Sequence, residues 1–90
     1  MATGDRYAPG VAVLRLFASA REAAGTARDE LSGATVGDVL DAATARYGQA
    51  FAQVLATCRV WVNGDEAARE TPVTAADEVA VLPPVSGGAS

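Results

Sequence analysis

One stretch of this sequence has the period of a long helix, and its position dictates what the rest must be. From Thr35 to Gly48 the apolar residues Val36, Val39, Leu40, Ala43 and Tyr47 recur every three or four positions, the spacing that gathers side chains on one face of an α-helix. Thr35, followed three residues later by Asp38, resembles a capping box with Asp in place of Glu. Gly48 stands where a left-handed residue would stop the helix. Asp38 and Asp41 fall near the positive end of the helix dipole and Arg46 near the negative end. A single amphipathic helix has one apolar stripe to bury, and the short alternating segments around it are the sheet that covers the stripe.

Those segments read as follows. Val11 to Phe17 alternates as a strand, with Ala12, Leu14 and Leu16 on one face and Val13, Arg15 and Phe17 on the other. Ala18 to Ala24 favours a short helix or turn that Gly25 ends. Thr26 to Leu31 is polar and weakly alternating, a solvent-facing strand paired to the first and closed by Ser32-Gly33. Beyond the helix, Phe51, Val54 and Leu55 make Gln49 to Thr57 a short packed turn. Cys58 to Val62 alternates again and runs into Asn63-Gly64, a tight-turn dipeptide, after which Glu66 to Ala68 pairs back briefly. Glu78 to Leu82 is a last strand with Val79 and Val81 on one face, ended by Pro83-Pro84. The expected organisation is a loose leader over 1–10, one domain over 11–85 and a mobile tail over 86–90. The fold class is α+β: a mixed sheet of four or five strands crossed by one main helix, as in the β-grasp or ubiquitin-like arrangement, although periodicity alone also permits a ferredoxin-like rearrangement.

Composition removes whole reaction classes. The chain has no His and one Cys, Cys58, so it holds no Ser-His-Asp or Cys-His pair, no zinc site of the usual ligands and no internal disulfide. A lone thiol fits a reducing cytoplasm, which is the expected location. A net charge of −4, with seven arginines scattered from Arg6 to Arg69, argues against nucleic acid as a partner. No apolar run approaches the ~18 residues of a membrane span. Cys58 reads as a buried core thiol, since only Arg59 in its local sequence would stabilise a thiolate. Asp77 and Glu78 are adjacent in a strand start and point to opposite faces, which rules them out as a converging acid/base pair. Asp29-Glu30 and Asp65-Glu66 read as solvated edges.

The chemistry is therefore sought at the C-terminal end. Pro83-Pro84 stiffens the exit from the sheet, and Ser86-Gly87-Gly88 follows, two residues without side chains that can thread a channel where a Cβ would clash. The segment Asp77-Glu78-Val79-Ala80-Val81-Leu82-Pro83-Pro84-Val85-Ser86-Gly87-Gly88 resembles the terminal signature of the molybdopterin synthase small subunit. Leu16-Phe17-Ala18-Ser19-Ala20-Arg21-Glu22-Ala23-Ala24-Gly25 is similar to that family's first-strand motif, and Val62-Asn63-Gly64 to its third-strand turn. The resemblance spans Val11 to Gly88 and extends to the ubiquitin-like sulfur carriers as a group.

The resemblance implies that a ubiquitin-activating-type enzyme uses ATP to adenylate the Gly88 carboxylate, which then becomes a thiocarboxylate. It implies that the tip enters the synthase large subunit, with Gly87 providing clearance and Val85 and Ser86 threading behind it. The chain itself would catalyse nothing and bind neither cofactor nor metal. Here Gly88 is followed by Ala89 and Ser90; an amide cannot be adenylated, so a processing peptidase is expected to cut between Gly88 and Ala89. Phe17, Leu82, Pro83 and Pro84 are the expected docking residues, with Trp61 on the same strand parity. A carrier for thiamin, cysteine or a secondary metabolite, and a ubiquitin-like module that only binds, are the alternative readings. The absence of lysine excludes self-linked isopeptide chains.

Overall fold

Hydrophobic alternation becomes the central layer of the structure, a computed structural model that describes residues 11–84. Five strands form one sheet in the order β2-β1-β5-β3-β4. They are β1 (Val11–Leu16), β2 (Arg28–Ser32), β3 (Arg59–Val62), β4 (Asp65–Glu66) and β5 (Glu78–Leu82). The first and last strands lie side by side and parallel, Val13 opposite Glu78 and Leu16 opposite Val81, while β2 and β3 flank them antiparallel. Three helices, α1 (Ala18–Ala24), α2 (Val36–Tyr47) and α3 (Gln49–Leu55), complete the domain. This is the mixed five-stranded, helix-crossed sheet of the β-grasp fold. The leader over 1–10 and the tail over 86–90 lie outside the described residues, as does Val85.

The core sits between sheet and helices. Ala12, Leu14 and Leu16 from β1 and Val79 and Val81 from β5 are buried, facing Val36, Val39, Leu40 and Ala43 of α2, Ala20 of α1 and Phe51 of α3. Fully burying a side chain such as Leu14 or Phe51 contributes roughly 1.5–3 kcal/mol. The stretch from Gln49 is a helix of seven residues rather than a turn, because Phe51 needs a rigid carrier to place its ring edge-on to Tyr47, centroids 5.2 Å apart.

Local chemistry sets the boundaries. Thr35 Oγ1 accepts the Asp38 N–H at 3.2 Å, and the Asp38 carboxylate accepts the N–H of Ala34. Gly48 ends α2, but not in the left-handed helical well: at φ 97° and ψ −168° it takes a conformation open essentially to glycine alone. That geometry turns the chain straight into α3. Asn63 and Gly64 both have positive φ and join β3 to β4 in a two-residue hairpin, with Val62 opposite Asp65. The return pairing covers Asp65–Glu66 with one further bond, Ala67 N–H to Val60 C=O at 2.9 Å. Asp77 closes the loop before β5, accepting from the Thr74 N–H at 2.7 Å and the Asn63 side-chain amide at 2.8 Å.

Asp29 departs from its expected place on a solvated edge. Its carboxylate accepts hydrogen bonds from the Tyr47 hydroxyl and from the Arg46 guanidinium at 2.8 Å, tying β2 to the end of α2. The Tyr47 bond, aided by the Glu30 N–H and Arg46, holds Asp29 below the usual carboxylate range, while burial, then the bond to Asp29, pushes Tyr47 up to about 12. A raised phenol pKa favours the folded state below the unfolded value and loses that contribution as pH rises through the folded one. Ultraviolet titration of the phenolate should therefore find Tyr47 ionising near pH 12, and Asp29→Asn should lower that value only part of the way towards 10, since burial is the larger cause. An ordinary Tyr47 titration, taken as the difference from Tyr47→Phe, would disprove the contact.

Candidate functional site

The helices cover one face of the sheet; the other face carries the residues of opposite parity. Register arranges them in rows. Nearest the C-terminal exit, Leu82 of β5 lies opposite Arg59 of β3, and Phe17 follows Leu16, whose partner is Val81. The Phe17 N–H donates to the Val81 carbonyl at 3.3 Å, which holds Phe17 beside Leu82. In the next row Arg28, Arg15, Ala80, Trp61 and Glu66 lie side by side across all five strands, and in the row beyond, Glu30, Val13 and Glu78.

Phe17 is 39% exposed and is not covered by α1, although it directly precedes it and its carbonyl accepts from Ala20. Ala18, the next residue, takes φ 52°, a conformation that side-chain-bearing residues rarely adopt. The strain marks an abrupt turn from strand to helix, directly after an exposed aromatic. The Arg15 guanidinium lies 5.8 Å from the centre of the Phe17 ring. Leu82 and Pro83 are half-buried and Pro84 is exposed. Four residues expected to dock a partner thus share the end of the sheet from which the tail departs. Trp61 is half-buried on the same face. Val85, Ser86, Gly87, Gly88 and Ala89 lie outside the described residues.

Among the described residues, the other candidates singled out in the sequence do not converge on a second site. Cys58 is half-buried, not fully enclosed, and lines a cleft of about 310 Å³ between α2, α3 and β3 with Leu40, Thr44, Leu55 and Arg69. Burial nevertheless pushes its thiol pKa up, and Arg59 points instead to Glu66 at 2.6 Å. The thiol stays protonated and is a weak nucleophile. Asp77 and Glu78 diverge, the first to the Thr74 turn and the second to Arg15 at 3.0 Å. Among the described residues, no three Asp, Glu, Cys or His side chains gather where a metal ion could be held, and no helix is long and apolar enough to cross a membrane.

A β-grasp sheet whose last strand carries a Pro-Pro exit towards Gly-Gly, beside an exposed apolar patch, defines a ubiquitin-like carrier or modifier. The chain belongs to the ThiS family, whose model matches residues 14–88, within the ubiquitin-like sulfur carriers that the sequence resembles. Small archaeal modifier protein 1 of Haloferax volcanii is 39% identical over 84 residues, covering 82% of this chain and 97% of that protein. The solution structure of small archaeal modifier protein 1 from Methanosarcina acetivorans superposes with a TM-score of 0.79 at 34% identity, over 88% of this chain and 97% of the other. A Pyrococcus furiosus protein assigned as molybdopterin converting factor, subunit 1 matches at 0.75 and 25% identity, over 84% and 99%. The sequence-based expectation of a ubiquitin-like sulfur carrier is met at the level of family. Membership of the family does not by itself select molybdopterin as the destination of the sulfur.

Proposed function

We propose that this chain is a sulfur carrier for molybdopterin synthesis. A peptidase cuts after Gly88; an ATP-dependent activating enzyme joins the freed carboxylate to AMP and releases pyrophosphate. A persulfide sulfur then displaces AMP to give an acyl disulfide, and a second thiol of the sulfur-donor protein attacks it, forming a disulfide with the donor sulfur and releasing the thiocarboxylate on Gly88. The thiocarboxylate enters the large subunit of molybdopterin synthase and gives its sulfur to a pterin precursor. Activation is needed because a carboxylate is a poor electrophile and adenylate a good leaving group. ATP is consumed by the activating enzyme, and this chain supplies the acyl group, not the catalysis.

The observation that carries the reading is the sheet end at which Phe17, Leu82, Pro83 and Pro84 meet. It offers an apolar hold directly behind the tail, and hence a means of presenting Gly88 to successive enzymes. The likeness to the Pyrococcus subunit supports molybdopterin as the destination. A second reading is favoured by the 39% identity to a small archaeal modifier: the activated Gly88 carboxyl is passed to an amine of another protein.

Intact mass of the protein from its native cell separates these. An end at Gly88 with one oxygen exchanged for sulfur, accumulating when molybdopterin synthesis is blocked before the pterin precursor that accepts the sulfur, supports the first. Gly88 in isopeptide linkage to other proteins supports the second. A Gly88 that is always followed by Ala89 overturns both.

A further inference from the structure

The open face carries a feature that stability alone would select against. Arg15 and Arg28 are directly opposite each other on neighbouring antiparallel strands, a pairing of like charges that destabilises a sheet. Arg59 occupies the row nearest the exit, opposite Leu82. The chain has seven basic residues against eleven acidic ones, yet three of the seven crowd the two rows around Phe17 and Leu82. Their carboxylate partners stand further from the exit or at the sheet edge: Glu78 and Glu30 flank Val13 one row on, and Glu66 lies on β4.

Each arginine is held by one carboxylate, Arg15 by Glu78 at 3.0 Å, Arg28 by Glu30 at 3.1 Å and Arg59 by Glu66 at 2.6 Å. The arginine side chains are 42%, 56% and 67% exposed. Exposed pairs of this kind hold weakly and leave guanidinium donors free for a second acceptor. Screening by water weakens them now; an apolar partner closing over Phe17 and Leu82 would exclude that water and strengthen every charge contact at the rim.

We propose that Arg15, Arg28 and Arg59 dock the carrier onto carboxylates that ring an apolar recess on its activating enzyme, each arginine exchanging its internal carboxylate for one on the enzyme. The inference rests on the reading that Gly88 is adenylated. An acidic recess suits a carrier of net charge −4, because it repels every other side of the molecule and accepts only the tail-bearing end, so the charge pattern sets orientation as well as attraction.

The test uses the chain ending at Gly88, the activating enzyme of the same organism and ATP–pyrophosphate exchange measured against carrier concentration. Arg15→Gln and Arg59→Gln should each raise the half-saturating concentration about tenfold. Glu78→Gln and Glu66→Gln, which release the same arginines from their internal partners, should lower it about threefold. Raising NaCl from about 50 to about 400 mM should weaken the wild type and leave the triple Arg→Gln variant nearly unchanged. If the pairs only support the fold, the two variants of a pair shift together, and that result overturns the docking role. Equal half-saturation for every variant also overturns it while leaving the carrier reading intact. An enzyme that shows no Gly88-dependent exchange with the wild type refutes the carrier reading, and this inference with it.

Discussion

Leu14→Ala is expected to destabilise the domain by about 2–5 kcal/mol. Leu14 is fully buried at the centre of the sheet, between Asp29 of β2 and Val79 of β5, so truncation leaves a void that the neighbouring strands cannot close without giving up their hydrogen bonds. The core is small: of the 45 apolar residues in the chain, 21 are alanine, and no disulfide supplements it. A domain of this size has only about 5–15 kcal/mol to lose, and each kcal/mol moves its melting point by about 4–8 °C. Thermal unfolding followed by circular dichroism should therefore show a fall of at least ~8 °C. Val13→Ala, one residue away on the open face, is the control and should cost less than ~1 kcal/mol. Equal effects at the two positions would mean that the facing of β1 is wrong.

Gly88→Ala is expected to do the reverse, leaving the melting point alone while reducing thiocarboxylate formation by about a hundredfold or more. The carboxylate survives the substitution; what changes is whether it reaches the adenylating centre. A methyl group at the tip of a threaded tail shifts the reacting carbon, and a displacement of about 1 Å from productive geometry costs on the order of a hundredfold in rate. The readout is intact mass after incubation with the activating enzyme, ATP and a persulfide donor, beside the wild type ending at Gly88. Charging of Gly88→Ala at the wild-type rate would remove the reason for two consecutive glycines.

Much of the architecture is legible in the sequence because it is written in local terms. The period of Val36 to Tyr47, the Thr35 cap, the Asn63-Gly64 turn and the two-residue alternation of β1 and β5 each depend on neighbours within a few positions. What escapes is set by register and by partners distant in the chain. Asp29 reads as a solvated acid until β2 is laid against α2 and Tyr47 comes within reach. The opposition of Arg15 and Arg28 depends on which residue of β2 faces which residue of β1. Gly48 shows the limit of residue-type reasoning in another way: a glycine after a helix predicts positive φ correctly, while the ψ that sends the chain into α3 is decided by where Phe51 must be buried. At the candidate site, parity alone places Phe17, Leu82 and Trp61 on one side of the sheet. That the same side is the uncovered one follows only from the helices packing on the other.

The parallel contact between β1 and β5 has a consequence in time. Val13 and Glu78, partners in that contact, are 65 positions apart, and a sheet whose middle pairing spans most of the chain pays its loop-closure cost before it is rewarded, which slows folding. During synthesis the middle of this sheet stays open until its last strand has been made. The strand that completes the domain is also the one that carries Leu82 and runs into Pro83-Pro84, so finishing the sheet and completing the proposed docking face are one event. Under the proposed function, a chain whose sheet has not closed would lack that surface, and activation would be reserved for molecules that have already passed a test of folding.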